Sequence, residues 1–137
     1  MKVFNSRIIS SNEVFHIKYC SVEDDDGNKV PDYLIVEPKV TSQDNLNGAG
    51  IMPIFNNKIG LLKNFRPALN QICLEIPHGF HDEKETIEQT ALRELEEETG
   101  LIGKKENLVD LGIVAPDSGV INGRVKIFLV KTEKRKI

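Results

Sequence analysis

The sequence predicts an α/β domain in which a mixed sheet packs around one strong helix. Three observations point there. Residues 83–99 carry helical periodicity and end at a glycine, Gly100. Seven short runs alternate in polarity or are rich in β-branched and aromatic residues, and asparagine, glycine and proline separate them at close intervals. The length of 137 residues with 39% hydrophobic content suits one domain, 1–137, with a single core.

Residues 13–20 (EVFHIKYC) alternate as a strand, with Phe15, Ile17 and Tyr19 on one face. Asp26-Gly27 is a hairpin turn signal, and residues 33–37 (YLIVE) form the return strand, so about 1–40 is expected to hold an N-terminal β-hairpin. The acidic run before Gly27 lacks the first ligand of a calcium loop, because Val22 would stand at that position. The polar stretch 41–50, with Gly48 and Gly50, reads as a mobile loop. Residues 51–55 and 58–65 are apolar strands joined by Asn56-Asn57, a pair that tolerates positive φ. A short strand over 72–76 ends at Pro77, a loop over 78–84 leads into the helix, and strands over 107–115 and 124–131 complete the set before a charged tail.

Formal net charge is -3 and the pI is about 5.6, which does not suggest a nucleic-acid partner. Cys20 and Cys73 lack metal-ligand spacing and are expected to be reduced and structural, with Cys73 in the core. The N-terminal segment has no signal-peptide core and no apolar run approaches about eighteen residues, so a cytoplasmic protein without a membrane partner is expected. Of the histidines, His16 is expected to be structural and His81 exposed.

Chemistry concentrates in Gly79 to Leu101. At 3.6 residues per turn, taking Glu94 as zero puts Glu98 at about 40° and Glu97 at about 300°. Three carboxylates thus share one edge, with Cβ atoms about 5–6 Å apart. Like charges that close raise one another's pKa unless a cation joins them. A solvated helix face is the plain alternative. On the same scale Ile87, Ala91, Leu95 and Leu92 fall between about 20° and 160°, so the core-facing arc contains Glu98 and borders Glu94. Glu85, Gln89, Arg93 and Glu96 take the opposite, solvent arc.

The stretch places Glu85 after five intervening residues from Gly79, Arg93 after seven more, then Glu94, Leu95, Glu97, Glu98, Gly100 and Leu101. It resembles the Nudix hydrolase signature at all nine defined positions. Chance agreement at one starting point is roughly one in a billion. The resemblance implies an α/β/α sandwich with a mixed sheet and a loop-helix-loop box in which Gly79, Glu85 and Gly100 are structural. Leu61 to Pro67 (LLKNFRP) and Leu74 to Gly79 (LEIPHG) resemble segments of the ADP-ribose and nucleotide-sugar pyrophosphatases, and Pro116 is similar to a proline that marks that subgroup.

What the resemblance implies is a metal-dependent pyrophosphatase acting on a nucleoside diphosphate linked to another group, such as ADP-ribose. Arg93, Glu94, Glu97 and Glu98 would be catalytic. Mg²⁺, or Mn²⁺ in its place, would take oxygens from Glu94, Glu98, Glu97 and the backbone carbonyl of His78, whose imidazole replaces the small side chain usual there and either narrows the site or touches a phosphate. Arg66, Phe65, Glu75 and Pro116 would bind substrate, with a turn-shaping role as the alternative for Pro116. Arg66 offers a fork able to grip a diphosphate bidentately, against a surface ion pair as the alternative. Phe65 stacks on a base or packs in the core. Glu75 accepts from a ribose hydroxyl, sits at the metal or caps a helix. The N-terminal hairpin resembles one that takes part in a swapped homodimer.

In that subgroup the general base is a Glu on a loop after the strand corresponding to 124–131, followed by a terminal helix. Here Glu133 is the carboxylate nearby and the chain reaches Ile137, so that helix is expected to be abbreviated or absent. Three alternatives stay open: another carboxylate is the base, the C-terminus has been lost, or the domain binds without turnover. A nucleoside-triphosphate or dinucleoside-polyphosphate pyrophosphatase is the rival enzyme, and a nucleotide-binding module the rival of another class.

Overall fold

The computed structural model describes residues 1–132 and, for the backbone, 134–135; Glu133 and the last residues of the charged tail lie outside the described residues. By contacts the chain divides into two units, 1–40 with 115–123, and 41–114 with 124–137.

In the first unit β1 (Lys2–Ser11), β2 (Phe15–Glu23) and β3 (Lys29–Pro38) form an antiparallel sheet in that order. The anticipated hairpin is β2 with β3, and β1 adds a strand that periodicity missed. The reason is local: Asn5 has φ of 53° and the β1–β2 register shifts twice, so no steady two-residue pattern survives. The acidic run forms a turn. Asp24 accepts from the backbone N–H of Asp26 and Asn28 and from the Asn28 side chain, which holds its carboxyl below the usual range, while Gly27 takes φ of 84°. The 115–123 loop fastens to β3: the Tyr33 hydroxyl donates to Gly119 O, and Val36 N–H donates to Val120 O at 2.8 Å.

The second unit holds the helix. Its strands are β4 (Gly48–Phe55), β5 (Lys58–Ile59), β6 (Leu62–Arg66), β7 (Gln71–Glu75) and β8 (His78–Phe80), then α1 (Ile87–Thr99), β9 (Leu101–Ile102), β10 (Leu108–Val114), β11 (Val125–Thr132) and β12 (Lys134–Arg135). The main sheet runs β10-β11-β4-β5, with β8 also beside β4. β4 and β11 are parallel and the other pairs antiparallel, which makes the sheet mixed. Ala49, Ile51, Phe128 and Val130 from the sheet meet Ala91 and Leu95 of α1 in the core. β6 and β7 form a separate two-stranded ribbon. Part of the expected charged tail is strand: β12 pairs with β9.

The expected mobile loop at 41–50 is half wrong. Leu46 to Gly50 are buried, and Gly48 opens the central strand. Glycine is there for close approach, because a Cβ at Gly48 would meet the Gly79 carbonyl oxygen at 2.6 Å. Gly48→Ala must therefore push β8 away from β4. We expect a loss of about 1–3 kcal/mol, the usual scale of overpacking, read from urea unfolding; an unchanged midpoint would contradict the contact. Asn56 and Asn57 turn as anticipated, with φ of 50° and 58°.

The helix begins later than expected, at Ile87 rather than 83. Thr86 and Gln89 close a capping box, the threonine hydroxyl accepting from Gln89 N–H and the glutamine side chain from Thr86 N–H. Gly100 ends it with φ of 71° and its N–H on Glu96 O. Among the described residues α1 is the single α-helix, and none is long and apolar enough to cross a membrane. Cys20 is buried, whereas Cys73 is only half-buried on β7; both are free.

Candidate active site

The box residues meet where β8 passes the side of α1. Gly79 lies on β8, and a Cβ there would fall 2.0 Å from Glu94 Oε1 and 2.2 Å from its Cδ. The glutamate carboxyl thus fills the space that a side chain would need. Glu94 is only 12% exposed, and Arg93 Nη1 donates to its Oε1 at 2.6 Å.

Arg93 is the organiser of this cluster. Its Nε donates to Glu85 at 2.9 and 3.2 Å, Nη1 also reaches Glu97 Oε2 at 3.1 Å, and Nη2 donates to Phe80 O at 3.1 Å. Burial works against its charge, but Glu85 and Glu94 outweigh that and raise its pKa further. The wheel put Glu85 and Arg93 on the solvent arc. Instead the loop before the helix folds Glu85 back across that arc, and Arg93 is half-buried beneath it.

The three carboxylates do not converge equally. Glu97 turns out to Arg93 and is 58% exposed. Glu98 is exposed as a residue, not aimed into the core, but its carboxyl accepts from His78 N–H at 3.0 Å. Partial burial of that carboxyl, and then the negative charge of Glu94, push Glu98 above the usual carboxylate range against the pull of the His78 N–H and Arg66. Glu98 also lines a cavity of about 490 Å³ with Phe55, Lys58, Leu62, Thr99 and Leu101, large enough for a small ligand.

Among the described residues no three His, Cys, Asp or Glu side chains are grouped as a metal cage. Glu94 and Glu98 are instead two hard oxygen donors, Glu94 largely covered and paired with Arg93, Glu98 exposed and raised in pKa by partial burial and by the Glu94 charge. That donor set fits a hard divalent cation that keeps several waters and takes one or two carboxylates together with substrate phosphates.

A second network adjoins the first. Arg66 Nε donates to both Glu75 oxygens at 2.8 and 3.0 Å, and its Nη2 donates to Glu75 Oε2 and to His78 Nε2, the latter at 3.0 Å. Asn64 also donates to Glu75, at 3.3 Å. The Arg66 hydrogen bonds hold the Glu75 carboxyl below its ordinary range, against its partial burial. Glu75 is thus the partner of Arg66 and caps no helix. Phe65 points the other way on the ribbon and is 58% exposed, which removes the core-packing alternative. Sequence reading missed the role of Asn64, and it marked the His78 imidazole as a departure at the site without foreseeing its contact with Arg66, which no local spacing announces. It also misjudged His81, which is buried with Nδ1 3.2 Å from Thr90 Oγ1. Pro116 is exposed in the 115–123 loop, which belongs to the first unit, whereas this cluster belongs to the second.

A model of the NUDIX domain matches residues 44–131. The chain belongs to the Nudix family. Its Nudix box is Gly79 to Leu101, on β8, the following loop and α1. It is 30% identical over 146 aligned positions to an ADP-ribose pyrophosphatase of Bacillus subtilis, covering 100% of this chain and 75% of that one. It is 44% identical over 69 positions to an ADP-ribose pyrophosphatase of Saccharomyces cerevisiae, covering 46% of this chain and 30% of the relative. The chain spans 56% and 30% of the length of two curated relatives it matches. A crystal structure described as an ADP compounds hydrolase superimposes with a TM-score of 0.75 at 18% identity, over 99% of this chain and 70% of that one, which shows the shared fold.

Proposed function

We propose that the chain is a metal-dependent pyrophosphatase that hydrolyses a nucleoside diphosphate linked to another group, ADP-ribose or a related nucleotide sugar, to a nucleoside monophosphate and a phosphorylated remainder. One observation carries the reading. His78 joins the acidic pair to the arginine: its backbone N–H holds Glu98 and its Nε2 holds Arg66. A cation-binding edge and an anion-binding side chain are thereby tethered through one residue. The names of the B. subtilis and S. cerevisiae relatives support the substrate class.

Glu94 and Glu98, with the His78 carbonyl, would hold Mg²⁺ or Mn²⁺, which when bound neutralises charge on a diphosphate and lowers the pKa of a water. The chain's own residues do the rest. Arg93 neutralises Glu94 and keeps it in the Gly79 cradle, while Glu85 and Phe80 O orient the guanidinium. Glu97 shares Arg93 and is a positioning group in this arrangement. Arg66, fixed by Glu75, donates to a phosphate oxygen, and the exposed Phe65 ring offers a face to a base. The apolar Val3, Phe4, Ile8 and Ile9 exposed on β1 support a homodimer through the N-terminal sheet, and a monomer in sedimentation would remove that part. Cytoplasmic location belongs to the same proposal, and fractionation tests it.

The deciding assay is release of AMP from ADP-ribose with and without Mg²⁺, followed by nucleoside triphosphates and dinucleoside polyphosphates. Metal-dependent AMP release is the expected result. Preference for a triphosphate would reassign the substrate, and tight binding without product would make the chain a binding module.

A further inference from the structure

A guanidinium carries five N–H groups, and their allocation decides how Arg66 can meet a ligand. Nε–H is spent on Glu75, at 2.8 and 3.0 Å from its two oxygens. One Nη2–H goes to Glu75 Oε2 and the other to His78 Nε2, at 3.0 Å. Among the described residues nothing takes Nη1. Both two-pronged edges are therefore broken: Nε with Nη2 faces Glu75, and Nη2 beside Nη1 is given to the imidazole. With its side chain 40% exposed, Arg66 offers solvent the two N–H groups of one nitrogen.

The imidazole is locked in this role. His78 Nδ1 lies 2.8 Å from Ile76 O, and a carbonyl only accepts, so Nδ1 carries the proton. Arginine only donates, so Nε2 presents its lone pair. One neutral tautomer satisfies both contacts.

We propose that the His78 side chain is a specificity-determining residue, which withholds one prong of Arg66 so that the arginine meets a phosphate through Nη1 alone. This rests on the reading of Arg66 as a phosphate donor. On this proposal the wild-type contact with phosphate is single where the sequence expectation was a bidentate grip, and removal of the imidazole completes the second edge.

Calorimetric titration of the full chain with inorganic pyrophosphate at one fixed Mg²⁺ concentration tests it. His78→Ala is expected to bind about tenfold more tightly, the scale of one added charge-assisted hydrogen bond. His78→Gln, whose amide oxygen can take the place of Nε2, should stay within about twofold of wild type, which separates the lone pair from mere bulk. In an Arg66→Lys background the gain from His78→Ala should vanish, because an ammonium has no planar edge. Unchanged or weaker binding by His78→Ala, a gain that persists in the Arg66→Lys background, or no pyrophosphate binding by any variant overturns the proposal. AMP release by the same wild-type sample keeps the two readings apart. The titration can fail while metal-dependent hydrolysis stands, and hydrolysis can fail while the titration behaves as expected.

Discussion

Replacing Glu98 by Gln is expected to lower kcat for diphosphate hydrolysis on the order of a hundredfold or more, the scale of losing one preorganised electrostatic group at a reacting centre. The fold should not suffer. Gln keeps an oxygen for the His78 N–H and removes a charge that partial burial and Glu94 disfavour. The sign follows from proton counting. Because the folded-state pKa of Glu98 is raised, the folded chain holds a proton that the unfolded chain has already released, so stability falls as pH rises from the ordinary carboxylate value through the raised one. In chelator, the Tm of the wild type measured against that of Glu98→Gln should decline over that range, because carboxylates held below their ordinary pKa, such as Glu75 and Glu37, act alike in both proteins and cancel in the difference. The residue is solvent-accessible, so the difference in Tm is small and kcat carries the large effect. Near wild-type turnover, or a metal-free Tm below wild type at neutral pH, would contradict this account.

The second large effect is expected at Gly79. Alanine there would set its Cβ 2.0 Å from Glu94 Oε1, so the carboxyl must leave its cradle and its bond to Arg93. Activity should drop as far as in Glu94→Gln, and stability should fall by about 1–3 kcal/mol. A companion variant separates contact from backbone. Gly79→Ala with Glu94→Ala removes the colliding atoms, and should recover stability toward that of Glu94→Ala without recovering activity. If the single variant is as stable as wild type, or the double variant gains nothing, the cradle is not what requires glycine.

The two substitutions also show why some of this molecule was legible in sequence and some was not. Features set by short-range spacing were readable: the helical face of Leu95 and Ala91, the glycine stop at Gly100, the turn at Asn56 and Asn57, and the ordered glutamates of the box. Glycine misled where it answers a neighbour rather than a turn. Gly48 faces the Gly79 carbonyl from a central strand, yet in sequence it sits among polar residues and reads as loop. β1 vanished from the pattern because its bulges break the alternation. Side-chain partners were the hardest to foresee. Arg66 and His78 are twelve positions apart and meet only because the ribbon of β6 and β7 returns the chain beside β8. Glu85 reaches Arg93 from outside the helix, so no wheel could place it. His81 is drawn in by Thr90 and by its own N–H on Asn47 O at 3.0 Å.

Mn²⁺ titration followed by electron paramagnetic resonance, on wild type and on Glu94→Gln, Glu97→Gln and Glu98→Gln, reads the cation site itself. Wild type is expected to bind the ion, with at least about tenfold weaker binding when either Glu94 or Glu98 loses its charge, and little change at Glu97, which is turned toward Arg93. Equal Mn²⁺ affinity in wild type, Glu94→Gln and Glu98→Gln would contradict it.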